Sequence, residues 1–355
     1  MGPAEAEPLR DKRYLECLFQ IALARENMSK KIEIVVNPFS RGQMGRVASW
    51  IVKRIAKQTG NGCWKFNETK PFGFQAEIDG SSHDGDIVIF IGGDSTARLM
   101  AQTSIAYNDR PTLFTVVPLG LGNDFSRQFY PPLSFWNIFW RLPRILRKIV
   151  KSDLREVRLD TMELNGTITF LSTFAFGLDA DVACFYHRFR KTAFGRWVLH
   201  VPLVPEIFYF LAAVFFMCRR RSFDGYRILY KRMDTEQLEE IPINKGAFTV
   251  QVTNSMFYGG ARVYVDGSIN DGLFEITVIR NFTHLAVLFA TKIVPAATAI
   301  SRKILDQRRT DEVRIELPAC GCNFHIDGER ATDILSKERT LVFRMGKKFR
   351  FAVPG

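Results

Sequence analysis

No stretch of this 355-residue chain holds the roughly 20 consecutive apolar residues that a membrane-spanning helix needs. The longest candidate, Ile207 to Cys218, is bounded by Pro202, Pro205 and Glu206 upstream and by Arg219, Arg220 and Arg221 downstream. A buried helix is the expectation there; a helix resting on a membrane behind an arginine collar is the alternative. Cysteine is sparse as well. Cys17, Cys63, Cys184, Cys218, Cys320 and Cys322 form no disulfide framework, which favours a reducing compartment. Cys320, Cys322 and His325 fall short of the four ligands of a structural zinc site. A secretory leader is disfavoured, because Arg10, Asp11, Lys12, Arg13 and Glu16 crowd its would-be apolar core. Tyr14, Leu15, Leu18, Phe19, Ala22 and Leu23 recur at helical spacing instead, so residues 1–30 are expected to form a short helical extension. Internal repeats and low-complexity tracts are absent.

Acidic residues are outnumbered, 37 against 49 Lys and Arg, which leaves a net charge of +12. That balance favours an anionic partner such as lipid headgroups or nucleotide phosphates, without choosing among them. The length allows two domains and a sizeable core. The 31 phenylalanines suit an apolar interior or a lipid-facing surface.

From Lys31 the pattern alternates strand and helix. Ile32–Val36 reads as a strand, and Val47 to Gln58 as a helix with Val47, Trp50, Ile51 and Ile55 on one side. Ile87–Ile91 and Thr112–Val117 are further strands. Near-continuous apolar strands between helices indicate a doubly wound, mostly parallel sheet over 31–150, with ligands at the carboxyl ends of its strands. From 151 to 355 the pattern becomes antiparallel. Arg155–Glu163 and Thr167–Ala175 are joined at Asn165-Gly166, a strong hairpin signal. Helical stretches near Asp181–Cys218 and Leu285–Leu305 interrupt an expected β-sandwich, whose last segment can return to the first domain.

Three loops lie at the expected carboxyl ends: Asn37-Pro38-Phe39-Ser40-Arg41-Gly42, Gly92-Gly93-Asp94-Ser95-Thr96 and Pro118-Leu119-Gly120-Leu121-Gly122-Asn123-Asp124-Phe125. Glycine turns opening helices let backbone N–H groups meet phosphate oxygens. Asp94 at the tip can orient a magnesium ion or a hydroxyl nucleophile. Singly each loop is a moderate signal. In this order, and with Phe176-Gly177-Leu178-Asp179-Ala180, Tyr258-Gly259-Gly260, Asp271-Gly272-Leu273-Phe274 and Ile326-Asp327-Gly328-Glu329 following, the chain resembles the diacylglycerol kinase catalytic-domain family from about Ile32 to its C-terminus.

The resemblance implies an active site in the interdomain cleft and phosphoryl transfer from ATP, with Mg2+, to the hydroxyl of diacylglycerol, giving phosphatidic acid in lipid signalling. It implies Asp94 and Glu329 as catalytic residues, Glu329 as general base. Asn37, Pro38, Ser40, Arg41, Gly92, Gly93, Ser95, Thr96, Gly120, Leu121, Gly122, Asn123 and Asp124 are its nucleotide-binding positions. Asp94, and Asp271 with the Leu273 backbone, are its metal positions. Asp124 is equally well read as a loop-stabilising residue, Asp179 as a structural hydrogen-bonder, and His187 as an ordinary helix histidine. Ser95 stands where the family carries a third glycine. If that position needs φ > 0, a serine costs roughly 1–2 kcal/mol. Leu121 stands where many members carry a small hydroxylated residue. These departures motivate an alternative, a catalytically impaired lipid-binding homologue. A sphingoid-base or ceramide kinase, and an NAD-kinase-type enzyme, are further alternatives. The expected partners are ATP, the lipid and an anionic membrane surface met peripherally from the cytoplasm, with no nucleic acid and with room for a homodimer.

Overall fold

The computed structural model describes residues 31–41, 44–59, 64–69, 85–120, 122–134, 136–151, 154–198, 204–218, 223–243, 247–259, 261–262, 267–281, 283–284, 287, 305–318 and 322–354. The expected N-terminal helix, Gly42, Leu121, Arg219–Arg221, Gly260, Cys320 and most of Leu285–Leu305 lie outside them.

Strands β1 (Ile32–Val36), β2 (Trp64–Glu68), β3 (Ile87–Gly92) and β4 (Leu113–Pro118) form a parallel sheet in the order β2-β1-β3-β4. β1 and β3 are buried at every residue, as the near-continuous apolar runs require, Glu33 of β1 being the charged exception. Helix α1 (Met44–Thr59) connects β1 to β2, and helix α2 (Asp94–Ala106) connects β3 to β4. The two connections step in opposite directions from the centre. Right-handed crossovers therefore place α1 and α2 on opposite faces, and the winding reverses between β1 and β3. A crevice opens at the carboxyl ends where winding reverses. Helix α3 (Ile138–Lys151) completes this layer. On α1 the apolar face is Ala48, Ile51, Val52 and Ile55; Trp50 departs from the expected side and is exposed, with the Arg54 guanidinium 5.5 Å from its ring centroid.

The second layer is a β-sandwich of two six-stranded antiparallel sheets. Phe170, Phe174, Phe176, Phe274, Phe324 and Phe343 fill the space between them, so much of the phenylalanine content is core. The strand expected over Arg155–Glu163 is broken at Asp160. Leu154–Leu159 pairs with Phe349–Pro354, and Met162–Leu164 joins the sandwich. Phe349 and Phe351 belong to the first core, where Phe351 packs 4.5 Å from Phe129 and 5.6 Å from Phe125. Asn165 (φ 52°) and Gly166 (φ 67°) make the expected turn, between Met162–Leu164 and Ile168–Phe170.

The helical stretch after Gly177 is three helices, α4 (Leu178–Lys191), α5 (Ala193–Val198) and α6 (Val204–Met217). α6 is not the buried helix expected. Phe208 stacks on Phe185 and Phe189 of α4 at 5.5 and 4.3 Å, while Ile207, Leu211, Val214 and Phe215 face solvent. Among the described residues no helix is long and apolar enough to cross a membrane.

Candidate active site

The crevice is built on two glycines. The β3–α2 and β4–α3 connections meet with Gly93 against Gly120: a Cβ added to Gly120 would lie 2.6 Å from the Gly93 Cα. Both partners are backbone, so neither position has room for a side chain. Asp94 is the first residue of α2 and follows Gly93, its N-cap. Its Oδ2 accepts the Asn123 N–H at 2.8 Å, and its Oδ1 the Phe125 N–H at 3.4 Å. As the first two residues of the helix, Asp94 and Ser95 have N–H groups with no intrahelical acceptor, which suits an anionic oxygen.

Ser95 is helical. It is absent from the non-glycine residues with positive φ, which are Arg41, Asn123, Asn165, Glu236 and Asp327. The strain expected of a serine there does not arise.

Three polar side chains expected at the nucleotide are engaged in the loop frame. Asn37 donates to the Thr96 hydroxyl at 3.1 Å and accepts the Phe39 N–H at 3.0 Å. Thr96 is fully buried. The Asn123 amide accepts the Gly120 N–H at 2.6 Å and donates to the Gly120 carbonyl at 2.7 Å. This pair holds Asn123 in its left-handed conformation, φ 57°. Pro38 and Ser40 are buried in the first loop, and Arg41 donates to the Leu133 carbonyl at 3.0 Å. Arg127, which carries no sequence signal, donates to the Gly122 carbonyl at 2.7 Å with the charges of Asp124 and Asp94 beside it.

Asp124 joins the two layers. Its Oδ2 accepts the Gly259 N–H at 2.9 Å, and its carbonyl accepts the Ser255 hydroxyl at 2.8 Å. Gly122 lies between two carboxylates: a Cβ there would be 3.0 Å from Asp94 Oδ2 and 3.6 Å from both Asp124 oxygens. Burial, then the charges of Asp124 and Asp327, push the Asp94 carboxyl up to about 8.

Glu329 lies on a tight hairpin of the sandwich that meets α2 at Arg98. Ile326 pairs with Glu329, and Asp327 (φ 47°) and Gly328 (φ 76°) form the turn with both central residues at positive φ. The Asp327 carboxylate fixes the turn by accepting the N–H groups of Leu171, Ser172 and Thr173 at 3.0, 2.8 and 3.0 Å. Arg98 of α2, 2% exposed, donates to the Ile326 carbonyl at 3.4 Å, with the charges of Asp327 and Glu329 around it. Burial raises the Glu329 carboxyl above its ordinary range, against the pull of Arg190, Arg98 and Lys191. His187 Nδ1 lies 3.5 Å from Glu329 Oε2 and 3.3 Å from an Arg190 nitrogen. Arginine can only donate, so Nδ1 accepts and its proton sits on Nε2. Burial, then Arg190 and Lys191, lower His187 to about 4, so it is neutral. His187 is thus a neutral helix histidine, as expected, and it neighbours Glu329. No motif marks it, Arg190 or Arg98.

No three His, Cys, Asp or Glu side chains among the described residues converge on one metal position. Asp94 fits a metal in another way. It is a half-buried carboxylate with Asp124 near by, and a divalent cation of the magnesium type takes one or two carboxylates plus substrate phosphates. Asp271 does not fit. Its Oδ1 accepts the Leu273 N–H at 3.0 Å, and its Oδ2 pairs with the Arg309 guanidinium. The Asp160 carboxylate fixes the same turn through the Gly272 N–H at 2.7 Å. Asp179 is paired with buried His325, the structural role expected.

Residues 31–161 match the model of the diacylglycerol kinase catalytic domain, and residues 208–340 that of the YegS C-terminal NAD kinase beta sandwich-like domain. Diacylglycerol kinase 4 of Arabidopsis thaliana is 24% identical over 289 residues, 61% of this chain and 58% of that protein's length. A solved diacylglycerol kinase structure from Bacillus anthracis str. Sterne superposes with a TM-score of 0.56 at 17% identity, covering 92% of this chain and 98% of that one. A second structure from the same organism gives 0.56 at 18% identity, covering 90% of this chain and 96% of that one. At these identities the structural likenesses speak to the fold.

Proposed function

The chain belongs to the diacylglycerol kinase catalytic-domain family, and from that premise we propose that it transfers the terminal phosphoryl group of ATP to the free hydroxyl of diacylglycerol, yielding phosphatidic acid. The observation that carries this reading is the close meeting of two glycine loops beside a carboxylate. Gly93 and Gly120 touch through backbone alone, Asp94 accepts the Asn123 N–H, and Glu329, raised by burial, lies on the sandwich hairpin that Arg98 of α2 engages.

Phosphoryl transfer asks a protein for positioning and charge neutralisation more than for covalent chemistry. The close-packed glycines let the triphosphate approach backbone N–H groups at the start of α2. Asp94, with the phosphate oxygens, would hold a divalent cation such as Mg2+, which neutralises charge developing on the phosphates. Glu329 accepts the proton of the attacking hydroxyl. A base works best with a pKa near the working pH, and burial moves Glu329 that way. Asn37, Thr96 and Asn123 brace the nucleotide-binding loops through their side chains. The exposed apolar face of α6 and the basic surface support peripheral contact with the membrane in which such a lipid resides.

The test is transfer of labelled phosphate from ATP to diacylglycerol in mixed micelles, alongside Asp94→Ala. Transfer at least 100-fold above the variant is expected. Equal background in both, with diacylglycerol, sphingoid bases and ceramide alike, overturns the reading and leaves a lipid-binding homologue.

A further inference from the structure

A cavity of about 740 Å³ lies beneath α3 and shares no lining residue with the crevice. That volume accommodates a small amphiphile. Ile145, Leu159 and Ile269 contribute an apolar floor, and Arg141, Arg144 and Lys148 line it from α3. Among the described residues its lining contains no Asp or Glu, and the sequence has none from Gln128 to Ser152. Among the described residues, none of these three cations has a carboxylate partner. Trp140, Arg144 and Lys148 recur every four residues and so share one helix face. The guanidiniums of Arg141 and Arg144 each lie 5.1 Å from the Trp140 ring centroid. Beside them Trp136 is 76% exposed and Phe139 41%.

We propose that this pocket and helix face bind an anionic phospholipid at a membrane surface, with the phosphate held by Arg141, Arg144 and Lys148 and the acyl portion entering the apolar floor. Charge complementarity selects the occupant: three cations without a carboxylate partner among the described residues, over an apolar cavity, match an anionic head on a hydrocarbon body. The exposed indoles select a membrane over a soluble phosphate compound, because tryptophan beside arginine and lysine is the composition of membrane–water interfaces. This gives the peripheral docking proposed above a definite site.

The test uses the full chain without nucleotide, so it can fail while lipid phosphorylation persists. Flotation is measured with phosphatidylcholine vesicles with and without phosphatidylserine, a lipid that lacks the acceptor hydroxyl. Arg144→Glu/Lys148→Glu is compared with Arg54→Glu/Lys57→Glu, the same charge change on the exposed face of α1. The first variant loses roughly tenfold or more in affinity for the anionic vesicles, and the second less than about threefold. A soluble short-chain phosphatidylserine shifts the tryptophan emission of the native chain to the blue, and inorganic phosphate at the same concentration does not. Equal losses in both variants, vesicle binding without phosphatidylserine, or an equal response to inorganic phosphate overturns the proposal. All four substituted side chains lie at the surface, and unchanged melting temperatures confirm that folding is intact.

Discussion

Asp94, at the start of α2, accepts the backbone N–H of Asn123 at 2.8 Å, so the loop after β4 is hung on the carboxylate at the end of β3. That carboxylate is half-buried beside Asp124 and is pushed up to about 8, first by burial and then by Asp124 and Asp327. The folded state therefore binds a proton there that the unfolded chain releases near its ordinary value. The resulting contribution is largest in acid and declines as pH rises from about 4 to about 8.

Asp94→Asn removes this dependence. It is expected to abolish phosphoryl transfer, by on the order of 10²–10³-fold, yet to melt higher than the native chain at a pH above 8 and alike at pH near 4. Melting curves across that range check the sign. A variant that melts lower in alkali would overturn the raised Asp94 carboxyl as the source of this dependence.

Metal–nucleotide binding runs the other way with pH. A cation needs the ionised carboxylate, so affinity for Mg2+–ATP rises as pH approaches about 8 and levels above it. Titration of nucleotide binding with and without Mg2+ measures this; pH-independent affinity would contradict it.

Glu329 must be ionised to accept a proton. Burial raises its carboxyl, so transfer rises with pH through an acid limb displaced above the ordinary glutamate value. Glu329→Gln removes the base, with an expected kcat loss of about 10²–10⁴-fold. His187→Phe keeps the helix but removes the acceptor that engages Arg190. Arg190, already 4.0 Å from the Glu329 carboxylate, can then close on it, so the acid limb moves down. An unmoved limb would show that His187 has no bearing on the base.

Much of this site is legible in the residues because the glycine loops sit at strand ends and the Asp327-Gly328 turn has its own signature. Other parts carry no linear signal. His187, Arg190 and Arg98 are single polar residues on helices, and only the fold brings them to Glu329. Pro143 lies inside α3, where a helix pattern would ordinarily stop. Strand β2, Trp-Lys-Phe-Asn-Glu, is a half-buried edge without a continuous apolar run. The strain expected at Ser95 rested on a backbone angle that residue types do not reveal. The structure makes it the second residue of a helix.

That placement has a consequence for Ser95→Gly. No strain is relieved, and glycine in a helix is less favourable by up to about 1 kcal/mol. Activity is expected to stay within about threefold and stability to fall slightly. Gly120→Ala is the contrasting change, since its Cβ would lie 2.6 Å from the Gly93 Cα with no side chain to yield. It is expected to remove nucleotide binding. A tenfold gain in kcat/KM for ATP in Ser95→Gly would show that the serine obstructs the pocket after all.

Arg98 supplies the last test, because it is the one buried cation of α2 that reaches the hairpin carrying Glu329. It donates to the Ile326 carbonyl at 3.4 Å, and Asp327 and Glu329 act on its charge. Arg98→Met preserves most of the side-chain volume but removes one of the positive charges that Asp327 and Glu329 face. It also removes the donor to the Ile326 carbonyl, so a clear loss of melting temperature is expected. With Arg98 gone, one cation that lowers Glu329 is gone too, so the acid limb of the pH profile shifts upward in whatever activity remains. Lysine at the same place retains the charge and loses the planar fork. Arg98→Lys should therefore restore the limb better than it restores stability. If both variants lose stability while the limb stays fixed, Arg98 is a strut between the layers and does not tune the base.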